Sequence, residues 1–380
     1  MSEKRVSQTG IYVHFPYCLS RCPYCDFTVT TAVVEDERYQ RAVIDELRLR
    51  TAERPIHGAV SLYFGGGTPS LWSPESVAMV VEAARKYAGL TEDAEVTLEV
   101  NPERIDRDQL RTLHQAGINR LSVGAQSFSE ETLSALGRAH KGEDVERLVA
   151  NARAVGLEEV SVDLIYGHRD QRLSEALYDL ERTISLAPTH LSLYQLTIED
   201  RTVFGSRAAR GEQLLVDEAP LILLEESLRR HAEEAGFHFY EQSSAAIRGH
   251  EARHNSLYWR FGEYLGLGAG AHGLRHDRRA GYRWANHRKL GRYFNAVERG
   301  ELPEEERDLL DEEALQEERL LVGLRLREGV RIEEADRARF GEAAARLVNE
   351  GLLHDEGGRW RASEQGWPLL DLLWRRLLVD

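Results

Sequence analysis

The sequence contains three cysteines, and all three lie within eight residues of one another. Cys18, Cys22 and Cys25 directly follow a short apolar segment, in a stretch that also contains Pro16 and Pro23. An odd number of thiols cannot all pair in intramolecular disulfides, and such clusters in a reducing compartment are typical of metal or redox sites. The spacing therefore predicts a metal centre held by one loop.

An iron–sulfur cluster and a zinc ion are the two metal centres to be weighed. Iron–sulfur clusters are usually held by four cysteine thiolates, so three would leave one iron open to an exchangeable ligand. A structural zinc site would need a fourth ligand, such as His14 or Asp26, and zinc usually pairs its cysteines in two knuckles. We favour the cluster. Three unligated cysteines are a further alternative, which the polar, proline-containing loop disfavours.

Further polar and glycine-rich positions follow other apolar segments. The run Gly65–Pro69 would let the backbone approach a ligand closely, although most glycine runs are simply turns. Glu99, Gln126 and Asp163 interrupt or follow the next three apolar segments, and Arg138 could supply a cationic partner. Each carboxylate alone is better explained by a structural partner. Together, at the same end of successive strands, these residues predict one ligand site.

The elements that would position these residues alternate between strand and helix. Repeated strand–helix units predict a parallel sheet, either an open sheet or a barrel, with the chemistry at the carboxyl ends of the strands. The predicted strands are 11–15, 59–64, 95–100, 120–124, 159–166 and 190–198. The predicted helices between them are 35–54, 74–88, 107–116, 143–155 and 173–186.

The second half of the chain is less regular. A helix over 217–235 and a strand over 237–240 are predicted, followed by an irregular, functional segment over 248–292 and an acidic linker over 301–306. Helices over 312–326, 333–350 and 368–378, with a hairpin over 352–363, predict a winged-helix-like module. Residues 301–380 hold 12 Lys and Arg against 21 Asp and Glu, a net charge of −9, which argues against DNA binding by this module.

The composition of the chain favours a globular protein and disfavours several other classes. The chain has 380 residues, of which 42% are apolar and 30% charged, so it can bury a core. Its net charge of −15 disfavours general nucleic-acid binding and attraction to anionic membranes. We find neither an apolar run of about 18 residues nor a signal-peptide pattern, so a cytoplasmic protein is expected.

Five short sequence strings resemble those of a known protein family. The cysteine spacing after an initial strand is similar to that of radical S-adenosylmethionine (radical SAM) proteins, and the glycine run is similar to the one with which they hold the methionine amino group. The chain resembles, over nearly its whole length, the oxygen-independent coproporphyrinogen III oxidase family. The strings are 18–27, 64–70, 124–128, 163–167 and 191–196.

The resemblance implies a fold, cofactors and site residues. The implied fold is α/β, a partial (β/α)6 radical SAM barrel with a small C-terminal helical, winged-helix-like domain. Cys18, Cys22 and Cys25 would hold a 4Fe-4S cluster whose open iron binds S-adenosylmethionine. The implied cofactor contacts are Tyr12, Tyr24, Gly66, Gly67, Thr68, Glu99, Gln126, Arg138 and Asp163.

Two departures from the oxidase favour a related branch. The oxidase has Gly-Cys directly after its third cluster cysteine, whereas this chain has Asp26 and Phe27, so we expect no coproporphyrinogen oxidase activity. The string 254–259, an HNxxYW motif, and the glycine-rich string 266–273 resemble the HemW family of heme chaperones. This resemblance implies a protein that binds heme and transfers it to an unidentified acceptor, such as a membrane-bound respiratory protein.

The segment 248–292 suits a heme ligand. It holds ten Lys and Arg and three acids, a net charge of +7 that could pair with the heme propionates. It could equally pair with the carboxylates of coproporphyrinogen. His254 is the preferred iron ligand because it lies in the HNxxYW motif. The rival ligands are His250, His272, His276 and His287.

We expect three domains: the barrel with the cluster loop over 1–240, a heme-binding segment packed on it over 241–300, and the winged-helix-like domain over 301–380. Three other functions stay open. They are coproporphyrinogen oxidation, another radical modification of a tetrapyrrole, and a zinc-stabilised interaction module without catalysis.

Overall fold

Six parallel strands in chain order form the centre of the fold. The computed structural model describes residues 8–277 and 279–378, apart from the side chain of Arg104. The central strands are β1 (Thr9–Phe15), β2 (Ala59–Gly66), β3 (Glu95–Val100), β4 (Arg120–Gln126), β5 (Glu159–Tyr166) and β6 (His190–Gln195). Each pairs in parallel with the next. The predicted parallel sheet and all six predicted strands are confirmed.

The helices between these strands pack side by side. They are α1 (Asp36–Glu53), α2 (Pro74–Ala88), α3 (Arg107–Ala116), α4 (Glu130–Ala135), α5 (Gly142–Ala154) and α6 (Leu173–Ser185). Helix α1 contacts α2, α2 contacts α3, and α3 contacts α5. Two short 3-10 turns, Pro69–Leu71 and Pro102–Arg104, follow β2 and β3. The five predicted helices are confirmed; α4 was not predicted.

Alternation along β1 separates an apolar face from a polar one. Ile11, Val13 and Phe15 are fully buried in the main hydrophobic cluster, which also contains residues of α1 and α2. Successive side chains of a strand point to opposite faces, so Tyr12 and His14 lie on the other side of the sheet. The ring of Tyr12 stacks there on the ring of Tyr63, with centroids 6.1 Å apart. Polar groups therefore face the inside of the curved sheet.

The sheet continues beyond the six parallel strands at both edges. In the part of the chain that the structure describes it has twelve strands, in the order β12-β11-β10-β9-β1-β2-β3-β4-β5-β6-β8-β7. Because β9 pairs with β1 and β8 with β6, the parallel strands form a partial barrel. The added strands are β7 (His238–Phe239), β8 (Ser244–Ala246), β9 (Glu263–Leu267), β10 (His272–His276), β11 (Gly281–Asn286) and β12 (Glu304–Leu310). The accompanying helices are α7 (Val203–Ala208), α8 (Glu218–Glu234), α9 (Arg253–Trp259) and α10 (Leu290–Glu298).

Two predictions for this region are wrong. The segment 248–292, predicted to be irregular, contains α9 and three strands of the main sheet, with β9 parallel to β1. The segment 301–306, predicted to be a linker, runs into β12, which pairs antiparallel with β11. The main sheet therefore extends past residue 300, where the third domain was expected to begin.

A buried ionic cluster joins this region to the first helix. Glu46 is fully buried and accepts hydrogen bonds from Arg50 Nε at 2.9 Å, Asn286 Nδ2 at 2.8 Å and Tyr293 Oη at 3.0 Å. It also accepts one from the Gly268 backbone N–H at 2.8 Å. A buried carboxylate requires such partners, so the cluster fixes α1, the turn after β9, β11 and α10 against one another.

The C-terminal module has the predicted order of elements. It contains α11 (Glu312–Gly323), β13 (Val330–Arg331), α12 (Glu334–Asn349), β14 (Leu353–Glu356), β15 (Arg359–Ala362), a 3-10 turn (Trp367–Leu369) and α13 (Leu370–Leu378). The short strands form a separate sheet in the order β13-β15-β14. Trp360 and Leu373 are fully buried between these elements. Among the described residues, no helix is long and apolar enough to cross a membrane.

Candidate functional site

A cavity of about 690 Å³ opens at the carboxyl ends of the parallel strands. This is the end of the sheet at which the sequence predicted a ligand site. Its wall brings together all three cysteines, the glycine run and the polar residues of successive strands. The predicted site residues that line it are Cys18, Cys22, Cys25, Tyr24, Gly66, Gly67, Thr68, Glu99, Gln126, Arg138 and Asp163.

The cysteine loop, residues 16–30, is held by its own backbone. The Cys18 N–H donates to Thr30 O at 2.9 Å, and the Thr30 N–H donates to Pro16 O at 2.7 Å. The three thiols are partly buried, and this burial raises the pKa of Cys18 and Cys25. Thiols with raised pKa values stay protonated unless a positive group, such as a metal, stabilises the thiolate.

The arrangement of the three thiols indicates which kind of metal centre they could hold. Within the described residues, no three or more His, Cys, Asp or Glu side chains converge as ligands of a single metal ion. A mononuclear zinc site would require such a convergence. A multinuclear cluster instead takes one thiolate on each of several irons, which suits three separate thiols around one cavity.

The glycine run packs directly against the cysteine loop. The Gly67 N–H donates to Phe15 O at 2.7 Å and the Thr68 N–H donates to Tyr17 O at 2.9 Å. A Cβ atom on Gly67 would lie 2.7 Å from Tyr17 O and 3.0 Å from Cys18 Sγ. Gly66 has a φ of 110°, which side chains rarely adopt. Glycine is thus required here by both contact and conformation.

Glu99 ends β3 inside the cavity and is held by two donors. Its Oε1 accepts from Tyr63 Oη at 2.8 Å, and its Oε2 accepts from the Gly66 N–H at 3.0 Å. Desolvation and, more weakly, the nearby Asp163 carboxylate raise the pKa of Glu99 to about 7, although both hydrogen bonds oppose the shift. The carboxylate would gain from a cationic group of a ligand.

Asp163 lies within β5, and Gln126 is the last residue of β4. Asp163 accepts from Ser122 Oγ at 2.8 Å and Ser161 Oγ at 3.3 Å, and burial raises the pKa of its carboxyl group. Gln126 has a φ of 64° and follows a register shift in the pairing of β4 with β5. A non-glycine residue in the left-handed region stores strain, and such residues cluster at ligand sites.

Arg138 spans the site between the cysteine loop and β4. Its Nη2 donates to Asn101 Oδ1 at 2.7 Å and to Gly124 O at 3.1 Å, and its Nη1 lies 3.7 Å from Cys22 Sγ. Asn101 also donates to Thr68 Oγ1 at 3.1 Å, so it joins Arg138 to the glycine run. Asn101 was not predicted, although its position directly after β3 was a usable signal.

Tyr12 lies outside the cavity wall formed by the described residues. Its hydroxyl group is within 3.0 Å of His14 Nδ1, and the other ring nitrogen of His14 contacts Thr28 O at 2.8 Å. Tyr12 therefore supports the cysteine loop through His14, and its predicted contact with S-adenosylmethionine stays a prediction.

His254, the predicted iron ligand, is 1% exposed inside the barrel. Its Nδ1 is 2.8 Å from Ser61 Oγ, and its Nε2 is 2.8 Å from Tyr258 Oη. Its ring stacks on Tyr63, with centroids 5.0 Å apart. Burial lowers the pKa of His254 to about 3, so the ring is neutral. Both ring nitrogens have protein partners in this conformation.

The rival histidines differ in exposure. His250 bonds Glu159 Oε1 at 2.6 Å through its Nδ1, and His276 contacts Phe261 O at 3.1 Å through its Nε2. His287 is partly buried after β11, and its Nδ1 has no hydrogen-bond partner among the described residues. His272, the first residue of β10, has an exposed side chain.

Comparison with known proteins agrees with this architecture. The Radical SAM superfamily matches residues 12–181, and the HemN C-terminal domain matches residues 310–369. The solved structure of coproporphyrinogen III oxidase (HemN) from Escherichia coli, a radical SAM enzyme, superposes with a TM-score of 0.82. It is 22% identical, and the alignment covers 98% of this chain and 90% of that one. This likeness confirms the predicted fold class.

Two relatives found by sequence have a higher identity to this chain than that structure has. Heme chaperone HemW of Escherichia coli K12 is 40% identical over 266 residues, which are 70% of this chain and 69% of the relative. Heme chaperone HemW of Mycobacterium tuberculosis H37Rv is 33% identical over 374 residues, covering 97% of this chain and 94% of the relative. Since this similarity extends over nearly the full length of both proteins, the chain belongs to the HemW family of radical SAM proteins.

Proposed function

We propose that this protein is a heme chaperone that carries a 4Fe-4S cluster and S-adenosylmethionine and transfers heme to an acceptor protein. The observation that carries the proposal is the cavity in which three partly buried thiols, the glycine run and a ring of polar strand ends meet. The relatives named above are heme chaperones, and the proposal extends that activity to this chain.

The cluster would be held by Cys18, Cys22 and Cys25. Three ligands leave one iron open, and S-adenosylmethionine would occupy it with its methionine end against the glycine run. When bound, the cluster would supply one-electron chemistry to this ligand. Glu99 would hold the ligand's cationic groups, and Arg138 would hold its carboxylate.

The other polar residues would orient the ligand and limit water. Gln126 and Asp163 reach the cavity from neighbouring strands, where they can bond the ligand's polar edges. Tyr24 lines the same wall, and its ring offers an apolar surface beside the cysteines. A wall of this kind limits the access of solvent to reactive species.

One feature of the cysteine loop favours heme transfer over coproporphyrinogen oxidation. Asp26 and Phe27 follow Cys25 where the oxidase has Gly-Cys, and Phe27 is 62% exposed. The basic segment 248–292 is built into the main sheet, and its charge can attract the carboxylates of heme and of coproporphyrinogen alike, so it does not separate the two functions. A soluble acceptor domain or a membrane-bound respiratory protein could then receive heme from a cytoplasmic donor.

The test is an anaerobic heme titration of the cluster-loaded protein, followed by transfer to an apo-hemoprotein. We expect saturation near one heme per chain and loss of the bound Soret signal when the acceptor is added. A parallel incubation with coproporphyrinogen III, S-adenosylmethionine and reductant should leave the substrate unchanged. Decarboxylated product without heme binding would instead identify an oxidase.

A further inference from the structure

The turn between β9 and β10 packs directly against the cysteine loop. A Cβ atom on Gly270 would lie 2.6 Å from Thr28 Oγ1, and one on Gly268 would lie 2.5 Å from His14 O. The turn therefore packs against the Thr28 side chain of the cysteine loop and against the backbone near the end of β1. His272, two residues after Gly270, begins β10 beside the loop that contains the cysteines.

His272 has a free imidazole in this conformation. Its side chain is exposed, and within the described residues its ring has no hydrogen-bond partner. Partial burial and the Arg283 and Arg288 guanidinium groups lower the pKa of His272, so the ring is neutral near pH 7. Neutral imidazole is the form that binds iron. His254, by contrast, would have to give up a bond to Ser61 or Tyr258 first.

Two exposed cations belong to the same surface as His272. We call this surface, formed by Phe27, His272, Arg288 and Lys289, the rim. Arg288 and Lys289 follow β11, and neither has a carboxylate partner among the described residues. Arg288 Nη2 donates only to the backbone oxygen of Asp26, at 3.4 Å. The Asp26 carboxylate itself is paired with Arg201 at 3.1 Å. Both cations are therefore available to the carboxylates of a ligand.

An exposed aromatic ring completes the rim. Phe27 is 62% exposed, and it stands between Asp26, which Arg288 contacts, and Thr28, which Gly270 contacts. Leu19, on the same loop, is 52% exposed. Both side chains line the cavity that contains the cysteines. An exposed apolar side chain close to unpaired cations is typical of a binding site for an amphipathic ligand.

We propose that heme binds at this rim, with His272 as the iron ligand, Phe27 against the porphyrin face, and Arg288 and Lys289 on the propionates. The assignment rests on the proposed function and names the site that it requires. Heme presents one metal, one planar apolar ring system and two carboxylates, and the rim offers one partner of matching chemistry for each.

Three probes separate these contacts in the cluster-loaded protein. Ferric heme tests the whole site, iron-free protoporphyrin IX removes the metal, and heme dimethyl ester removes both charges. Anaerobic titration would follow the Soret band, and electron paramagnetic resonance would report the axial ligation of the iron.

The variants His272→Ala and His254→Ala decide which imidazole ligates iron. We expect His272→Ala to weaken heme binding by roughly tenfold or more, which is about 1.4 kcal/mol, and to change the spin state. It should leave protoporphyrin IX binding unchanged. His254→Ala should keep the wild-type Soret position. The matched control is His238→Ala, an exposed histidine on β7 at the opposite edge of the sheet.

The double variant Arg288→Ala/Lys289→Ala tests the propionate contacts. It should weaken heme binding severalfold but bind heme dimethyl ester as the wild type does. Phe27→Ser should weaken heme and protoporphyrin IX alike. Iron and sulfide content, measured for every variant, shows that the cluster loop is intact.

The outcomes separate the site from the function. If the wild type binds heme and His272→Ala binds it equally well with the same spectrum, the site assignment is overturned while the chaperone function stands. If only His254→Ala loses the signal, the ligand is His254. If the wild type binds none of the three probes, the proposed function itself fails.

Discussion

The hydroxyl group of Tyr63 donates a hydrogen bond to Glu99 Oε1 at 2.8 Å. The ring of the same tyrosine stacks on His254, so this residue connects the interior of the barrel to the cavity wall. Glu99 is thereby fixed at the end of β3, with its second oxygen on the Gly66 N–H. The carboxylate is oriented before any ligand arrives.

Glu99→Gln should remove a pH dependence from the binding of S-adenosylmethionine. The pKa of Glu99 is raised to about 7 by desolvation, so its charge appears only as the pH rises through that value. We expect wild-type affinity for the cationic ligand to rise between about pH 6 and about pH 8, and the variant to bind more weakly with a flat profile. Calorimetric titration measures both, with the exposed Glu143→Gln as control.

Gly67→Ala should lower the cluster content without unfolding the protein. The added Cβ would lie within 3.0 Å of Tyr17 O, Phe15 O and Cys18 Sγ, so the cysteine loop would have to shift. Iron and sulfide analysis after reconstitution should show substoichiometric loading, while circular dichroism stays as in the wild type. Gly291→Ala is the matched control, because a Cβ there meets no atom within 4 Å. Full loading of Gly67→Ala would contradict the close contact.

Glu46→Ala should destabilise the protein by about 3–5 kcal/mol. It takes the acceptor from three buried donors, Asn286, Tyr293 and the Gly268 N–H, and it leaves Arg50 with Glu304 as its one remaining carboxylate partner. Denaturant unfolding would measure the change. Asp45→Ala removes an adjacent, half-exposed carboxylate that pairs with Arg48 on the surface, and it should cost about 1 kcal/mol or less. Equal losses in the two variants would mean that the buried cluster contributes no more than a surface pair.

His254→Ala should change stability in a pH-dependent way. Burial lowers the pKa of this histidine to about 3, whereas the unfolded chain takes up the proton near its ordinary value of 6.5. The stability that the buried neutral ring contributes is therefore lost as the pH falls below 6.5. At about pH 5 the loss should be on the order of 2 kcal/mol relative to neutral pH. Unfolding curves of the variant should lack this component, and an unchanged pH slope would argue that His254 is protonated in the fold.

The strands and helices of the first 200 residues could be predicted because short apolar segments alternate there with amphipathic ones. Glu95–Val100 and Pro74–Ala88 were predicted with the bounds that the structure has, since each is a continuous periodic segment flanked by turn or capping residues. The strand ends then implied which polar residues would meet. Glu99, Asp163 and the cysteines do line one cavity.

The strands after residue 240 could not be predicted from local sequence patterns. Strand β9 pairs in parallel with β1, more than 240 residues earlier, and no local pattern encodes such a partner. Strand β12 carries almost only exposed side chains, so it lacks the alternation that identifies a strand. Contacts such as Arg307 with Glu53 hold it in place instead. The burial of His254 also depends on contacts with residues far away in the sequence, such as Ser61 and Tyr63.

The composition of β12 has a consequence for how the protein behaves at high concentration. A sheet with two free edges offers unpaired backbone groups to other chains, which is a common route to aggregation. In the part of the chain that the structure describes, one edge is Glu304–Leu310, where the charged residues 305–308 are exposed, and the other, His238–Phe239, is only two residues long. At the first edge, charge repels a second copy of the chain. At the second edge, a two-residue strand is too short to form a ladder of backbone hydrogen bonds with another copy. The open sheet is thereby kept from polymerising through its own strands.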